Sequence, residues 1–179
     1  MHSLICGVTE SGKTTLAKAI SSRLRKKGHK VLVYDPVYSA THSRPWGNGC
    51  VIYTEPEIYF EALTHRRNFG SHLFIDESGE LFSQSNRDRF WLLTRGRHLG
   101  YSVNLIAQRP KMIAPTVRTQ CATAYVFRLA ADDLDEVGRD FGHKLSHEVL
   151  DKGDYLILES GRAHYSRANV FKQTGVKPK

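Results

Sequence analysis

The stretch GVTESGKT, residues 7–14, decides how this chain folds, because it matches the phosphate-binding pattern G-x-x-x-x-G-K-[ST]. Its two glycines allow backbone conformations closed to other residues, so that the N–H groups of the loop turn inward around phosphate oxygens. Lys13 adds a point charge for the β- and γ-phosphates, and the Thr14 hydroxyl is a ligand for Mg²⁺. The residues predicted to bind the nucleotide are Gly7, Val8, Thr9, Glu10, Ser11, Gly12, Lys13, Thr14 and Thr15.

The residues around this loop have the pattern that the motif requires. Residues 4–6 form a short apolar run typical of a buried strand. After the loop, Leu16, Ile20 and Leu24 recur at helical spacing and share one face, and Gly28 is a natural stop. The order strand, loop, helix favours a nucleoside triphosphate site over a glycine-rich turn that binds nothing.

Composition indicates one globular domain over residues 1–179, with a flexible tail at 173–179. The chain is 40% hydrophobic and 25% charged, as expected for a folded domain of this length. It has no apolar run near the roughly 20 residues that span a bilayer and no signal peptide, so we expect a cytoplasmic protein without membrane insertion. The three cysteines, Cys6, Cys50 and Cys121, form no CxxC pair and indicate neither zinc nor a disulfide framework.

The net charge of +8, with a pI near 9.5, favours a polyanionic partner such as nucleic acid. The basic residues are spread along the chain and form no run of five or more. Charge by itself is equally compatible with a basic surface that has no such partner.

Strand-like and helical segments alternate along the chain, which predicts a three-layer α/β domain with a mainly parallel sheet. The strand-like runs are Ser3–Cys6, Val31–Tyr34, Val51–Tyr53 as an extra edge strand, Leu73–Ile75, Val103–Ala107 and Thr123–Phe127. The later helices are expected over 54–68, 86–98 and 131–141, the first opened by a capping box of Thr54 and Glu57. Residues 155–158 and 163–171 predict a C-terminal β-hairpin.

A second motif, HLFIDE at residues 72–77, is an apolar strand ending in two acids, the Walker B pattern. A buried parallel strand would deliver Asp76 beside the phosphate loop, where its charge helps to hold Mg²⁺. Glu77 would then polarise a water for in-line attack on the γ-phosphate. The acid after Asp76 favours hydrolysis over phosphoryl transfer to a small acceptor.

The acid pair also points to the RecA-like class of P-loop NTPases, which has an additional strand between the P-loop strand and the Walker B strand. That strand would be residues 103–107. Gln108 at its tip is predicted to sense the γ-phosphate or to orient the attacking water, and a plain strand-end cap is the competing interpretation. The predicted catalytic residues of this subunit are therefore Lys13, Glu77 and Gln108.

Residues 95–110, RGRHLGYSVNLIAQRP, resemble the stretch R-x-x-G, hydrophobic strand, x-Q-R-P of the FtsK–HerA superfamily of DNA-pumping ATPases. Residues 113–120, the Asp35-Pro36 pair and residues 153–155 fit the same pattern, so the resemblance covers most of 3–160. A short domain without an anchor is similar to the viral branch, the genome-packaging ATPases of tailless, membrane-containing phages and related viruses.

The resemblance implies a homo-oligomeric ring, usually a hexamer, with ATP between subunits and an arginine finger supplied by a neighbour. Arg97 and Arg95 are the first candidates for that finger, and Arg118 and Arg128 are alternatives. The resemblance also implies double-stranded DNA as partner, a capsid or portal vertex as docking site, and work in the host cytoplasm or on the virion.

The leading hypothesis is an ATP-driven translocase that packages a viral genome into a preformed capsid, with ATP and Mg²⁺ as cofactors. Basic pore loops would grip the DNA backbone without reading bases, and residues 37–50 and the segment after Gln108 are the candidates. Filamentous-phage assembly proteins of the Zot type share a related core and normally carry a transmembrane segment. A nucleotide kinase shares the loop but needs an arginine-rich lid, and a GTPase needs an N-K-x-D motif that is absent.

Overall fold

One eight-stranded sheet runs through the part of the chain that the computed structural model describes, residues 1–39, 46–145 and 147–175. The sheet order is β3-β2-β4-β5-β1-β6-β7-β8. The first six of these pair in parallel, β7 is antiparallel to β6, and β8 is antiparallel to β7. The strands are β1 (His2–Cys6), β2 (Val31–Tyr34), β3 (Val51–Tyr53), β4 (His72–Ile75), β5 (Ser102–Ala107), β6 (Cys121–Val126), β7 (Asp154–Glu159) and β8 (Ser166–Asn169).

Helices cover both faces of the sheet. They are α1 (Lys13–Lys26), α2 (Pro56–Thr64), α3 (Ser78–Leu81), α4 (Trp91–Thr94), α5 (Pro115–Arg118), α6 (Ala131–Phe141) and α7 (Val170–Thr174). Short 3₁₀ turns cover Arg66–Asn68, Arg87–Arg89, Gly96–Leu99 and Pro110–Met112. Every helix within the described residues falls short of the length and hydrophobicity needed to cross a membrane.

Two apolar clusters, one on each face of the sheet, form the core. Successive residues of a strand point to opposite faces, so Leu4 belongs to one cluster and Ile5 to the other. The helix α1 packs on the Ile5 side through Leu16, whereas α2 and α6 pack on the Leu4 side through residues such as Leu63 and Val137. Burial on both faces explains why the parallel strands read as continuous apolar runs, and it confirms the predicted three-layer α/β fold.

The strand order confirms the predicted additional-strand class. The strand β5 lies between β1 and β4 and is parallel to both, with Leu4 opposite Leu105 and Leu73 opposite Val103. The edge strand at 51–53 and the C-terminal hairpin of β7 and β8 are also present.

The helix expected over 54–68 begins later, and its predicted capping box is wrong. The N-cap residue is Glu55, whose side chain makes no capping hydrogen bond, and Pro56 occupies the first helical position. Glu57 instead lies 3.4 Å from the guanidinium of Arg89. The α-helix stops at Thr64, and a 3₁₀ turn continues the segment.

The single helix expected over 86–98 is divided into a 3₁₀ turn, the four-residue α4 and a second 3₁₀ turn. The Thr94 hydroxyl donates to the carbonyl of Phe90 at 3.1 Å, and Gly96 follows two residues later. Both residue types are weak helix formers, so the chain leaves the α conformation at this point. The short helix α3, directly after the acid pair, was not predicted.

The C-terminal segment is ordered further than the sequence indicated. The predicted strand over 163–171 ends at Asn169, whose side-chain oxygen accepts hydrogen bonds from the backbone N–H groups of Phe171 and Lys172 and caps α7. Part of the tail that was expected to fray, from Gln173, therefore lies in a helix. Residues 176–179 lie outside the described range.

One of the alternative arginine fingers, Arg118, is buried inside its own subunit. Its side chain is 3% exposed and forms ion pairs with Glu136 and, at 2.6 Å, with Asp140 of α6. It also donates to the carbonyls of Pro110 and Ile113. Arg118 therefore joins α5 to α6, and the interpretation that it reaches a neighbouring subunit is corrected.

We expect Arg118→Ala to lower the free energy of unfolding by about 3–5 kcal/mol, because it leaves two carboxylates without their buried partner. Urea unfolding followed by circular dichroism measures the change. Arg139→Ala removes an exposed cation from α6, the helix that carries Glu136 and Asp140, and should shift stability by less than about 0.5 kcal/mol. Equal midpoints for the two variants would contradict this assignment.

Candidate nucleotide-binding site

The predicted phosphate loop, acid pair and Gln108 meet at one edge of the sheet. The strands β1, β4 and β5 are parallel neighbours, so their carboxyl ends lie side by side. The loop follows β1, Asp76 and Glu77 follow β4, and Gln108 follows β5. The fold therefore brings together three segments that are separated by up to about a hundred residues in sequence.

Backbone hydrogen bonds hold the loop against three neighbouring segments. The N–H of Gly7 donates to the carbonyl of Ala107 at 3.3 Å, and the N–H of Val8 donates to the carbonyl of Arg128 at 2.9 Å. The carbonyl of Ser11 accepts from the N–H of Gly153 at 3.0 Å. The loop is thus fixed from β5, from the end of β6 and from the start of the C-terminal hairpin.

The two glycines of the motif are required by space as well as by conformation. A Cβ atom on Gly7 would lie 2.5 Å from the Cβ of Phe127 and 2.9 Å from the Oγ of Ser11. On Gly12, whose φ is +116°, it would lie 2.9 Å from Cγ1 of Val170. Larger residues at either position would displace the loop or fill the cradle that it forms.

Lys13 lies under the loop and close to the acids. Its side chain is buried, and its Nζ donates to the carbonyl of Val8 at 2.9 Å. Burial lowers the pKa of Lys13, and the nearby charges of Asp76 and Glu77 oppose that shift. A phosphate group in the cradle would supply the charge that this ammonium lacks.

Asp76 is a carboxylate held in a partly buried position. Its Oδ1 accepts a hydrogen bond from the N–H of Glu77 at 3.0 Å, and its own N–H donates to the carbonyl of Tyr34. Burial raises the pKa of Asp76 from 3.8 to about 6, and the charges of Asp35 and Glu77 add to the effect. A cation beside this group would stabilise its ionised form.

The residues present fit ATP with Mg²⁺. The Ser11 hydroxyl is buried in the loop without a hydrogen-bond partner among the described residues, as expected of a group that a phosphate would satisfy. Thr14 and Asp76 offer the hard oxygen ligands that Mg²⁺ prefers. No cluster of three or more His, Cys, Asp or Glu suited to a metal occurs in the described part of the chain.

A hydrogen-bonded chain of side chains connects the loop to the second acid. The Thr9 hydroxyl donates to Oε1 of Gln108 at 3.3 Å, and Nε2 of Gln108 donates to Oε1 of Glu77 at 3.2 Å. Glu77 has a φ of +49°, which is costly for a residue other than glycine. The geometry thus places Gln108 between the phosphate loop and the residue predicted to activate water.

The arginine-finger candidates are not brought to this edge, with one exception. Arg95 and Arg97 are exposed at the opposite edge of the sheet, beside the turn that precedes β5. Arg128 follows β6 and is exposed at the same edge as the loop. Only Arg128 therefore lies near the nucleotide site of its own subunit.

The segment after Gln108, predicted as a DNA-contacting loop, is tied to α6. Arg109 donates through Nε to Asp133 at 2.9 Å, and Lys111 donates through Nζ to Asp132 at 2.7 Å. The acids at the start of α6 are therefore stabilised by these two cations as well as by the helix dipole. The other candidate loop, 37–50, includes residues 40–45, which lie outside the described residues.

Sequence reasoning gave no site role to two features beside the loop. Asp35, at the carboxyl end of β2, is buried and accepts from Nε1 of Trp46 at 2.8 Å. Its position after an apolar strand was a usable signal. Lys152, whose Nζ lies 4.0 Å from Glu10, and Gly153 reach the loop from the C-terminal hairpin. Residues 153–155 fit the superfamily pattern, but that pattern did not indicate a contact with the loop.

Comparison with known proteins places this geometry in a recognised group of folds. The DNA-packaging ATPase B204 from Sulfolobus turreted icosahedral virus superposes with a TM-score of 0.76 over 93% of this chain and 95% of its own, at 20% identity. B204 from Sulfolobus turreted icosahedral virus 2, in complex with ATP-γS, gives 0.72 over 92% and 95%, at 16% identity. The N-terminal domain of zonular occludens toxin from Neisseria meningitidis gives 0.56 over 96% of each chain, at 16% identity.

Comparison of sequences identifies one distant relative in addition to these structures. A protein described as a probable helicase of Methanocaldococcus jannaschii is 27% identical in an alignment 118 positions long, which covers 58% of this chain and 22% of that protein. The chain therefore spans about a fifth of the length of this relative. No protein-family model matches the chain. These neighbours confirm the P-loop ATPase fold that the sequence predicts, and they fit the resemblance to the FtsK–HerA superfamily.

The raised pKa of Asp76 predicts a pH-dependent cost of folding in the absence of nucleotide and Mg²⁺. Because burial disfavours the ionised form, the protein should lose stability as pH rises from about 4 to about 6. Asp76→Asn cannot ionise, so it should become more stable than the parent by about 2–3 kcal/mol well above pH 6 and lose that advantage below pH 4.

Urea unfolding of both proteins across this pH range measures the difference. Glu80→Gln neutralises an exposed acid of α3 and should show no comparable pH-dependent gap. A gap between Asp76→Asn and the parent that stays constant with pH would contradict the burial of an ionisable Asp76.

Proposed function

We propose that this chain is an ATP-hydrolysing DNA translocase that packages a viral genome into a preformed capsid. The observation that carries the proposal is the convergence of Lys13, the acid pair and Gln108 on one sheet edge, in the strand order of additional-strand ATPases. The fold match to B204 over nearly the whole of both chains supports the packaging role.

In this proposal, the phosphate loop and Lys13 bind the triphosphate, and Thr14 and Asp76 hold Mg²⁺. The bound ion and the triphosphate together supply an electrophilic γ-phosphorus with a stabilised leaving group. Glu77 accepts a proton from a water positioned for in-line attack, and Gln108 holds the Glu77 carboxylate in place through its amide N–H. Thr9 fixes the Gln108 amide from the other side.

The same proposal gives the protein its partners and setting. Copies of the chain assemble into a ring, usually a hexamer in this superfamily, and Arg97 of one subunit completes the site of the next. The ring moves double-stranded DNA at a capsid or portal vertex, in the host cytoplasm or on the virion. DNA is gripped through its phosphates without base readout.

The decisive test is steady-state ATP hydrolysis in the presence of duplex DNA. Lys13→Ala removes the cation that neutralises the β- and γ-phosphates and should lower turnover about 100-fold or more. Lys172→Ala, which removes an exposed lysine of α7, serves as the matched control and should retain turnover. Unchanged turnover in Lys13→Ala would refute the mechanism.

A second variant separates chemistry from binding. Glu77→Gln keeps the size of the side chain and its acceptor oxygen but removes the base, so turnover should fall about 10²- to 10⁴-fold while ATP still binds. Binding is measured with a fluorescent ATP analogue. Glu80→Gln is the control, and equal turnover in the two variants would exclude Glu77 as the base.

The second candidate function is that of a Zot-like assembly ATPase, because the zonular occludens toxin domain shares the fold over nearly the whole chain. A Zot-like assembly ATPase would hydrolyse ATP without a requirement for duplex DNA. A nucleotide kinase would transfer phosphate to a nucleoside instead of releasing it. Measuring phosphate release with and without duplex DNA, and with a nucleoside acceptor, distinguishes the three functions.

A further inference from the structure

The edge of the sheet opposite the nucleotide site carries a continuous row of cations. Three segments make the row, and we call them the amino-edge row: residues 26–30 before β2, residues 65–70 before β4 and residues 95–100 before β5. The sequence of these segments contains no Asp or Glu. Their cations are Lys26, Lys27, Lys30, Arg66, Arg67, Arg95 and Arg97.

The three segments are neighbours because β2, β4 and β5 are adjacent in the sheet. Strands in a sheet lie about 4.8 Å apart, so the row crosses roughly 10 Å of sheet edge before side chains are added. All of its cations except Lys30 are exposed. The row therefore concentrates many positive charges on a short length of the sheet edge.

Backbone contacts hold the segments against one another. The N–H of Gly70 donates to the carbonyl of Leu99 at 2.9 Å, and a Cβ on Gly100 would lie 3.0 Å from the Cα of Gly70. On the other side, Nζ of Lys30 donates to the carbonyl of Arg67 at 2.9 Å. The like charges are thus kept close by the fold, at a cost in repulsion that an anionic partner would relieve.

The two sheet edges differ in charge. The nucleotide edge combines acids such as Asp76 and Glu77 with cations such as Lys13 and Arg128. The opposite edge holds the amino-edge row. Helix dipoles account for part of this arrangement, because Lys26 lies in the last turn of α1. They do not account for Arg95 and Arg97, which lie beside a four-residue helix.

We propose that the β2 and β4 end of the amino-edge row, with Lys27, Arg66 and Arg67, binds the phosphate backbone of duplex DNA. A duplex carries one negative charge per ~1.7 Å of its axis, so even this short front faces several phosphates. Single-strand binding relies on successive exposed aromatic rings, whereas this row contains a single Phe, Tyr or Trp ring, the exposed Phe69, which packs edge-on against Tyr101. The proposal rests on the proposed translocase function and gives that function a DNA-contacting surface.

The test uses the full chain and measures binding of a short mixed-sequence DNA duplex by fluorescence anisotropy at several salt concentrations. In the triple variant Lys27→Ala/Arg66→Ala/Arg67→Ala, the duplex should bind about ten-fold or more weakly. The slope of log Kd against log salt should fall by about 2–3, close to 0.9 per lost phosphate contact. These three residues take no part in the nucleotide site.

The matched control is Arg87→Ala/Arg162→Ala/Lys172→Ala, which removes three exposed cations from other surfaces and should keep the parental affinity and slope. Circular dichroism and DNA-free ATP turnover confirm that both triple variants fold. Equal loss in the two triple variants, or unchanged duplex binding in the first, overturns the row as the DNA surface. The assignment is also overturned if the first triple variant loses binding to single-stranded DNA but keeps binding to the duplex.

Failure of the underlying function has a different signature. If the unmodified protein neither binds duplex DNA nor hydrolyses ATP faster in its presence, the translocase proposal fails, and the amino-edge row fails with it. If the unmodified protein does both and the first triple variant does so equally well, only the assignment of the surface is wrong.

Discussion

The phosphate loop must pass through a space that admits no side chain at two positions, and much of the architecture serves that constraint. Gly7 is in contact with Phe127 after β6, and Gly12 with Val170 at the start of α7. The Ser11 carbonyl takes a hydrogen bond from Gly153. The phosphate loop lies between β1 and α1, near the start of the chain. The C-terminal hairpin and α7 thus pack against one side of this loop from the other end of the chain.

The same constraint organises the electrostatics of the site. A loop that places Lys13 under the phosphates also buries its ammonium, which needs negative neighbours. Asp76 and Glu77, which follow β4, supply them, and Asp35, which follows β2, adds a further acid beside Asp76. Burial is the main cause of the raised pKa of Asp76, and repulsion from Asp35 and Glu77 adds to it. Nucleotide and Mg²⁺ together would balance this group of charges better than either does alone.

The features that the sequence predicts correctly are those that depend on short-range patterns. Apolar runs located the parallel strands, and the acid after Asp76 indicated that the strand before Gln108 lies at the centre of the sheet. The errors arose where a single residue interrupts such a pattern. Thr94 and Gly96 divide a helix that the apolar pattern predicts as continuous, and Asn169 ends a predicted strand and caps a helix.

Within the site, the motifs were predictable from the sequence, and the long-range contacts were not. The phosphate loop, the acid pair and Gln108 are read directly from motifs, and the fold brings them together. Sequence alone could not show that Arg118 forms ion pairs with Glu136 and Asp140. Those acids lie on a different helix, and their position relative to Arg118 depends on how α6 packs. It also could not show which cations share an edge.

The placement of the arginines constrains how subunits would meet in a ring. In the proposed ring, Arg97 lies at the edge opposite its own nucleotide site and is available to a neighbour, whereas Arg128 lies beside its own site. The amino edge of one subunit would then face the nucleotide edge of the next near β5. The β2 and β4 end of the row, with Lys27, Arg66 and Arg67, would remain open to DNA. One row of cations would thus serve two anions, the neighbour's triphosphate at one end and the DNA backbone at the other.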